Sequence, residues 1–276
     1  MKNPEGEHAE IDLLLETIYQ RYGYDFRSYA RASIERRIRL FLSNTGYPSV
    51  AEIILRIVDD QEFTFHLIHY FSIAVTEMFR DPLVYRAVRE KVVPLLRTWP
   101  HCKIWHAGCA TGEEVYSLAI VLKEEGIYNR ATIYATDFNN EALDRACEGI
   151  YEMGKLQEAT RNYQQAGGKG SFSEYYYARY KAAVMDSSLK ERVVFSSHNL
   201  ASDSAFGEMH LIFCRNVLIY FNRDLQHRAL GLFTDSLVHG GFLCLGTKED
   251  LHFTDFRDQY EVVDNKARIY KKKNWP

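Results

Sequence analysis

The stretch Ile104-Trp-His-Ala-Gly108-Cys-Ala-Thr-Gly112-Glu-Glu-Val-Tyr-Ser-Leu-Ala119 constrains the fold most, because it reads as a buried strand that runs into a glycine loop and then a helix. Twenty-five residues after Gly112, Ile133-Tyr-Ala-Thr-Asp137 reads as a second apolar strand ending in a carboxylate, the usual partner for the two hydroxyls of a ribose. Together they make one βαβ unit with a nucleoside pocket at its carboxyl edge.

The loop lacks the G-x-G-x-x-G pattern of dinucleotide sites, since only Gly108 and Gly112 are present. Glu113 and Glu114 open the helix where a pyrophosphate would sit, and two anionic side chains repel phosphate. No Lys-Ser/Thr follows Gly112, so a P-loop is excluded too. A cofactor with a ribose, no phosphate and a positive charge fits better, and S-adenosylmethionine is such a molecule. A plainer reading remains open for the loop alone: the two glutamates complement the positive end of the helix, worth about 0.3–1 kcal/mol each.

With 276 residues, 46% of them apolar and 14% aromatic, the chain can build one large or two small cores. A net charge of −3 does not draw the whole molecule to nucleic acid or anionic membrane. The five cysteines (Cys102, Cys109, Cys147, Cys214 and Cys244) are scattered and form no C-x-x-C pair, which reads as buried thiols in a reducing cytoplasm. The ten histidines show no ligand spacing, so no metal is expected. No apolar run approaches the roughly 18 residues that span a bilayer.

From about His8 to Phe71 the apolar residues fall at helical spacing: Ile11, Leu14, Leu15 and Ile18, then Ile34, Ile38 and Phe41, then Ile53, Ile54 and Ile57. Breaks fall at Tyr22-Gly23-Tyr24 and at Asn44–Pro48, and the second helix is expected over Arg27–Leu42. This predicts a small all-helical domain over 1–75, then a linker helix within 76–98. A Rossmann-like α/β domain is expected over 99–276, with later strands at Arg192–Ser196, His210–Cys214 and Gly241–Gly246. A hairpin of Tyr260–Val263 with Ala267–Lys271 closes it, and helices start at Glu113, Asn140 and Arg223. An inserted, partly β subdomain is expected at about 153–190, where Gly167-Gly-Lys-Gly170 and Tyr175-Tyr-Tyr177 interrupt the alternation.

Polar residues cluster at the carboxyl ends of these strands, where open α/β sheets bind ligands. Asn199 can offer an amide to an adenine edge, and Leu200 an apolar face. The ordered set Thr76-x-x-Phe79-Arg80-Asp81, Gly108-x-x-x-Gly112-Glu-Glu-x-Tyr116-Ser117, Ala135-Thr-Asp137, Asn199-Leu200 and Cys214-Arg-Asn-Val-x-Ile-Tyr-Phe221 resembles the CheR family over nearly the whole chain. These are chemotaxis receptor methyltransferases that esterify receptor glutamates with S-adenosylmethionine.

The resemblance implies a class I methyltransferase sheet, with S-adenosylmethionine as cofactor and S-adenosylhomocysteine as product. It places cofactor contacts on Thr76, Arg80, Glu113, Asp137, Asn199, Leu200, Arg215 and Asn216, to which the glycine-loop reading adds the bare backbone at Gly108. It places the reaction-site pair on Arg80 and Tyr220. Many members carry Asn where this chain has Ala74, so a side-chain contact to the cofactor is missing or replaced. The implied partners are the cytoplasmic helices of chemoreceptors, met by a cytoplasmic monomer without nucleic acid or membrane insertion.

The second helix turns Arg36 and Arg39 away from its apolar face, and such a basic stripe suits docking of an acidic, glutamate-rich substrate helix. A glutamate carboxylate is already a nucleophile, so methyl transfer needs alignment and exclusion of water, not a base. That accords with the lack of any readable Ser-His-Asp or activated-cysteine arrangement. Two other readings keep part of this: methylation of a small-molecule carboxylate or hydroxyl, and a non-catalytic signalling adaptor.

Overall fold

The computed structural model describes residues 4–274 except 72–75, and leaves out the side chains of Pro4, Glu5 and His69. The chain divides into two compact units, one of residues 1–73 with 219–228 and one of residues 74–218 with 229–276. Among the described residues no helix is long and apolar enough to cross a membrane.

The first unit is helical: α1 (Pro4–Tyr22), α2 (Arg31–Thr45), α3 (Val50–Asp59) and α4 (Gln61–Phe71). Ile11, Leu14, Leu15, Ile18, Ile34, Ile38, Phe41, Ile53 and Ile57 are all buried, as their spacing predicts, whereas Ile54 is only half-buried. Boundaries differ from expectation, and the second helix runs to Thr45 rather than Leu42. The second helix begins four residues late, because Ala30 N–H donates to Tyr220 O at 2.7 Å and Tyr29 bridges Phe221, which keeps the backbone before Arg31 extended. The break between α3 and α4 falls at Asp60, whose carboxylate accepts from Phe63 N–H at 2.9 Å and starts a new helix.

The second unit opens with a helix interrupted by a π turn: α5 (Pro82–Ala87), the turn Val88–Val92, and α6 (Val93–Leu96). Strands and helices then alternate: β1 (Cys102–Ala107), α7 (Glu113–Glu124), β2 (Ala131–Asp137) and α8 (Asn140–Glu148). After an intervening segment come β6 (Val193–Ser197), β7 (Met209–Cys214), α10 (Arg223–Ser236), β8 (Leu237–Leu245), β9 (Tyr260–Asp264) and β10 (Ile269–Lys272). The sheet order is β6-β2-β1-β7-β8-β10-β9, and only β10 runs against the others. This is the Rossmann-like sheet the sequence predicts. The order reverses between β1 and β7, so the loops after those strands flank the switch point at which such sheets bind ligands.

β8 starts four residues before its expected Gly241, and its pairing with β7 shifts register between Met209 and Leu211. Gly240, at φ +77°, permits that irregularity. β1 is buried at every position but Lys103, as a central parallel strand must be.

The intervening segment holds β3 (Ile150–Glu152), α9 (Leu156–Gln165), β4 (Tyr176–Arg179) and β5 (Ala182–Met185), with the strands in the antiparallel order β3-β5-β4. It is partly β, and it also contains α9, which the sequence reading did not anticipate although Leu156, Ala159 and Tyr163 bury one face of it. Its sheet begins at Ile150, upstream of the expected bound at 153. Glu124 on α7 ties the segment down by accepting from Tyr175 Oη at 3.0 Å and Lys169 N–H at 3.0 Å.

Candidate functional site

The loop after β1 is held by the end of β2. Gly108 and Cys109 N–H both donate to Thr136 O, at 2.8 and 2.9 Å. One oxygen of Asp137 accepts from Ala110 N–H at 2.8 Å and the other from Asn139 N–H at 3.0 Å. Burial pushes the Asp137 carboxyl above its ordinary value, against these N–H donors. A carboxylate has about four lone-pair sites, so Asp137 can brace the loop and still accept from a ribose. Gly108 stands at φ +73°, and a Cβ there would lie 2.5 Å from Val217 Cγ2. Bare backbone at this point is therefore required by packing as well as by conformation.

Glu113 and Glu114 have different roles. Successive helical residues point about 100° apart, and the two carboxylates go to different neighbours. Glu113 accepts from Thr111 Oγ1 at 2.6 Å and lines a cavity of about 240 Å³ with Thr76, Met78, Tyr151 and Lys155. Burial raises the Glu113 carboxyl. Glu114 turns inward and accepts from Arg215 Nη1 at 2.9 Å.

Arg215 is buried, and its guanidinium works within the protein. Nη1 also donates to Arg80 O at 2.9 Å and Nη2 donates to Asp81 at 2.6 Å. Burial, the largest single influence, would lower its pKa, but Glu114 acting together with Tyr85, Cys244 and Asp81 outweighs it and the group stays well above its ordinary value. Arg215 therefore fixes the Thr76–Asp81 segment onto α7. A second tie joins them, since Phe79 N–H donates to Ser117 Oγ at 2.8 Å. Phe79 and Asp81 hold positive φ angles of 54° and 52°, a conformation that persists only where the surroundings enforce it. His106 packs beside this cluster with its pKa lowered to about 3, chiefly by burial, and stays neutral.

Among the buried polar atoms that have no partner among the described residues are the oxygens Thr76 Oγ1 and Asn216 Oδ1. Buried polar atoms are rarely left unpaired unless a ligand or water completes them. Thr76 lines the same cavity as Glu113, while Asn216, at φ +58°, follows β7 at the switch point. Unpaired acceptors and raised carboxyls suit a ligand with ammonium, hydroxyl and sulfonium groups. The residues present thus fit S-adenosylmethionine.

Asn199 and Leu200 follow β6, and Asn199 Oδ1 accepts from Ala201 N–H at 2.9 Å, so its amide NH2 is the end left to face a ligand. Leu200 is buried. Arg80 belongs to the second unit and Tyr220 to the first, where Arg37 lies over the Tyr220 ring at 5.7 Å. Arg36 is exposed on α2, whereas Arg39 is engaged by Glu7 at 3.2 Å and Glu35 at 3.4 Å. Ala74 lies outside the described residues.

Sequence reasoning missed Glu114 as the counter-ion of Arg215, Tyr151 and Lys155 in the cavity wall, and Arg37 beside Tyr220. The first had a signal, because a buried arginine requires a buried acid and the adjacent pair offered one. The wall residues had none, since they arrive through a fold that short strands do not announce.

Residues 74–269 match the family model of the CheR methyltransferase SAM binding domain, and residues 9–72 match that of the CheR methyltransferase all-alpha domain. A protein of Pseudomonas putida named Cher3 is 52% identical over 272 residues, covering 99% of this chain and 100% of that one. Chemotaxis protein methyltransferase 1 of Vibrio cholerae is 34% identical over 211 residues, 72% of each chain. The chemotaxis protein methyltransferase of Listeria innocua is 29% identical over 232 residues, 83% of this chain and 85% of that one.

Proposed function

The chain belongs to the CheR methyltransferase family, and from that premise we propose that it transfers methyl groups to glutamate side chains of chemoreceptor cytoplasmic helices, for adaptation in chemosensory signalling. Dependence on S-adenosylmethionine comes with the family's SAM binding domain. The acceptor is the proposed part, and relatives named as chemotaxis protein methyltransferases support it.

The observation that carries the reading is the cavity in which Thr76 Oγ1 has no partner among the described residues and Glu113 presents a buried carboxylate. Glu113 and Thr76 take the ammonium of the methionine end. Asp137 accepts from the ribose hydroxyls, Asn199 and Leu200 hold the adenine, and Gly108 lets backbone approach. Asn216 supplies a further acceptor. Arg215 acts through Arg80 and Asp81, as a positioning residue.

When bound, the cofactor would supply an electrophilic methyl carbon on its sulfonium sulfur: an acceptor carboxylate oxygen in line with the C–S bond would bond to that carbon as the C–S bond breaks, the sulfur keeping the electron pair as the thioether of S-adenosylhomocysteine. No proton moves, so no general base is needed. Arg80 steers the acceptor carboxylate by charge and Tyr220 orients it through its hydroxyl. A grip tighter than this would quench the nucleophile. Arg36 on α2 meets the acidic receptor helix, with Arg39 in a smaller part because Glu7 and Glu35 already engage it.

Incubating receptor-bearing membranes with the protein and methyl-labelled cofactor tests the acceptor. Label on receptor glutamates that mild alkali releases as methanol is expected, and Arg36→Glu should reduce it. Alkali-stable label, or label only on small molecules, would exclude glutamate esters.

A further inference from the structure

The ends of β7 and β8 lie side by side, with Cys214 opposite Leu245. Just past them, one carboxylate oxygen joins the two chains: Glu249 Oε2 accepts from Asn216 N–H at 3.0 Å and from Gly246 N–H at 2.6 Å. Glu249 is 5% exposed and Gly246 is buried, so the Gly246 N–H has no water to substitute for the carboxylate, while Asn216 is half-buried. The turn they hold is a demanding one. Asn216 has φ +58°, its Oδ1 is buried without a partner among the described residues, and the next side chain, Val217, fills the space that Gly108 leaves empty.

We propose that Glu249 is a positioning residue for the donor site, which sets the turn that presents Asn216 Oδ1 and presses Val217 against the glycine loop. The assignment rests on the reading of this edge as the S-adenosylmethionine site. A carboxylate suits the task because a single oxygen can accept two N–H groups, and because an anion shortens and strengthens both bonds. Gly246 is part of the same device. A Cβ there would lie 2.7 Å from Asn216 N and 2.7 Å from Glu249 Oε2, which would force the two chains apart.

Calorimetric titration of the full chain with S-adenosylhomocysteine, alongside thermal unfolding, tests this with Glu249→Ala, Glu249→Gln and Gly246→Ala. Glu249→Ala should weaken binding roughly 10- to 100-fold, as misplaced contact groups do. Glu249→Gln should stay within roughly threefold of the wild type, since an amide oxygen still accepts both N–H groups. Gly246→Ala should imitate Glu249→Ala with the carboxylate intact. If Glu249→Ala does not fold, the other two variants decide. Wild-type affinity in Gly246→Ala, or a Gln variant as weak as the Ala variant, would overturn the assignment. A wild-type chain that does not bind S-adenosylhomocysteine would instead overturn the donor-site reading itself, and this proposal with it.

Discussion

A buried carboxylate beside a cavity lowers the stability of the free protein and serves the ligand, and Glu113 shows both sides. Its carboxyl lies above the ordinary range because burial disfavours the charge, so the folded chain holds that proton more tightly than the unfolded chain. The sign follows: its contribution to stability is greatest in acid and is lost as pH rises from the unfolded-state value through the raised one. Glu113→Gln should therefore raise the melting temperature of the free protein near neutral pH by about 2–4 °C. It should also weaken S-adenosylhomocysteine binding about 10- to 100-fold, the range for a lost charged hydrogen bond. Wild-type affinity should fall on acidification, and that of the variant should not. A variant that binds like the wild type would remove Glu113 from the site. At this scale the loop's residues indicate only an acidic site; the family resemblance singles out Glu113 and assigns Glu114 no role. Only the packing of α7 shows that Glu114 faces Arg215.

At the scale of elements, the strand, glycine loop and helix at β1–α7 were legible because every constraint on them is local: an apolar run, two glycines with positive φ, and a helix that begins at Glu113. Gly108→Ala tests that unit. The substitution adds a Cβ 2.5 Å from Val217 Cγ2 and places alanine at φ +73°, a conformation that costs about 1–2 kcal/mol for any L-residue with a side chain. Thermal unfolding should shift down accordingly and calorimetry should show weakened S-adenosylhomocysteine binding; unchanged values for both would contradict the close approach. Elements fixed by distant partners were not legible. α2 starts at Arg31 because Tyr220 and Phe221, almost two hundred positions away in the chain, take up the backbone before it. α9 and β3 were missed because a three-residue strand carries no period, and because a glycine-rich stretch read as loop masked a short amphipathic helix.

For the molecule as a whole, a net charge of −3 argues against long-range steering toward an acidic receptor, so attraction must come from local cations such as Arg36. The same balance suits a donor site built from acids. Glu113, Asp137, and the oxygens of Thr76 and Asn216 that lack a partner among the described residues all belong to one compact unit, around the point where strand order reverses. A crystal structure of the full chain soaked with S-adenosylhomocysteine tests this most directly. The account predicts the ribose hydroxyls on Asp137 and the ammonium beside Glu113 and Thr76; a ligand seated away from the loop after β1, or no ligand at saturating concentration, would contradict it.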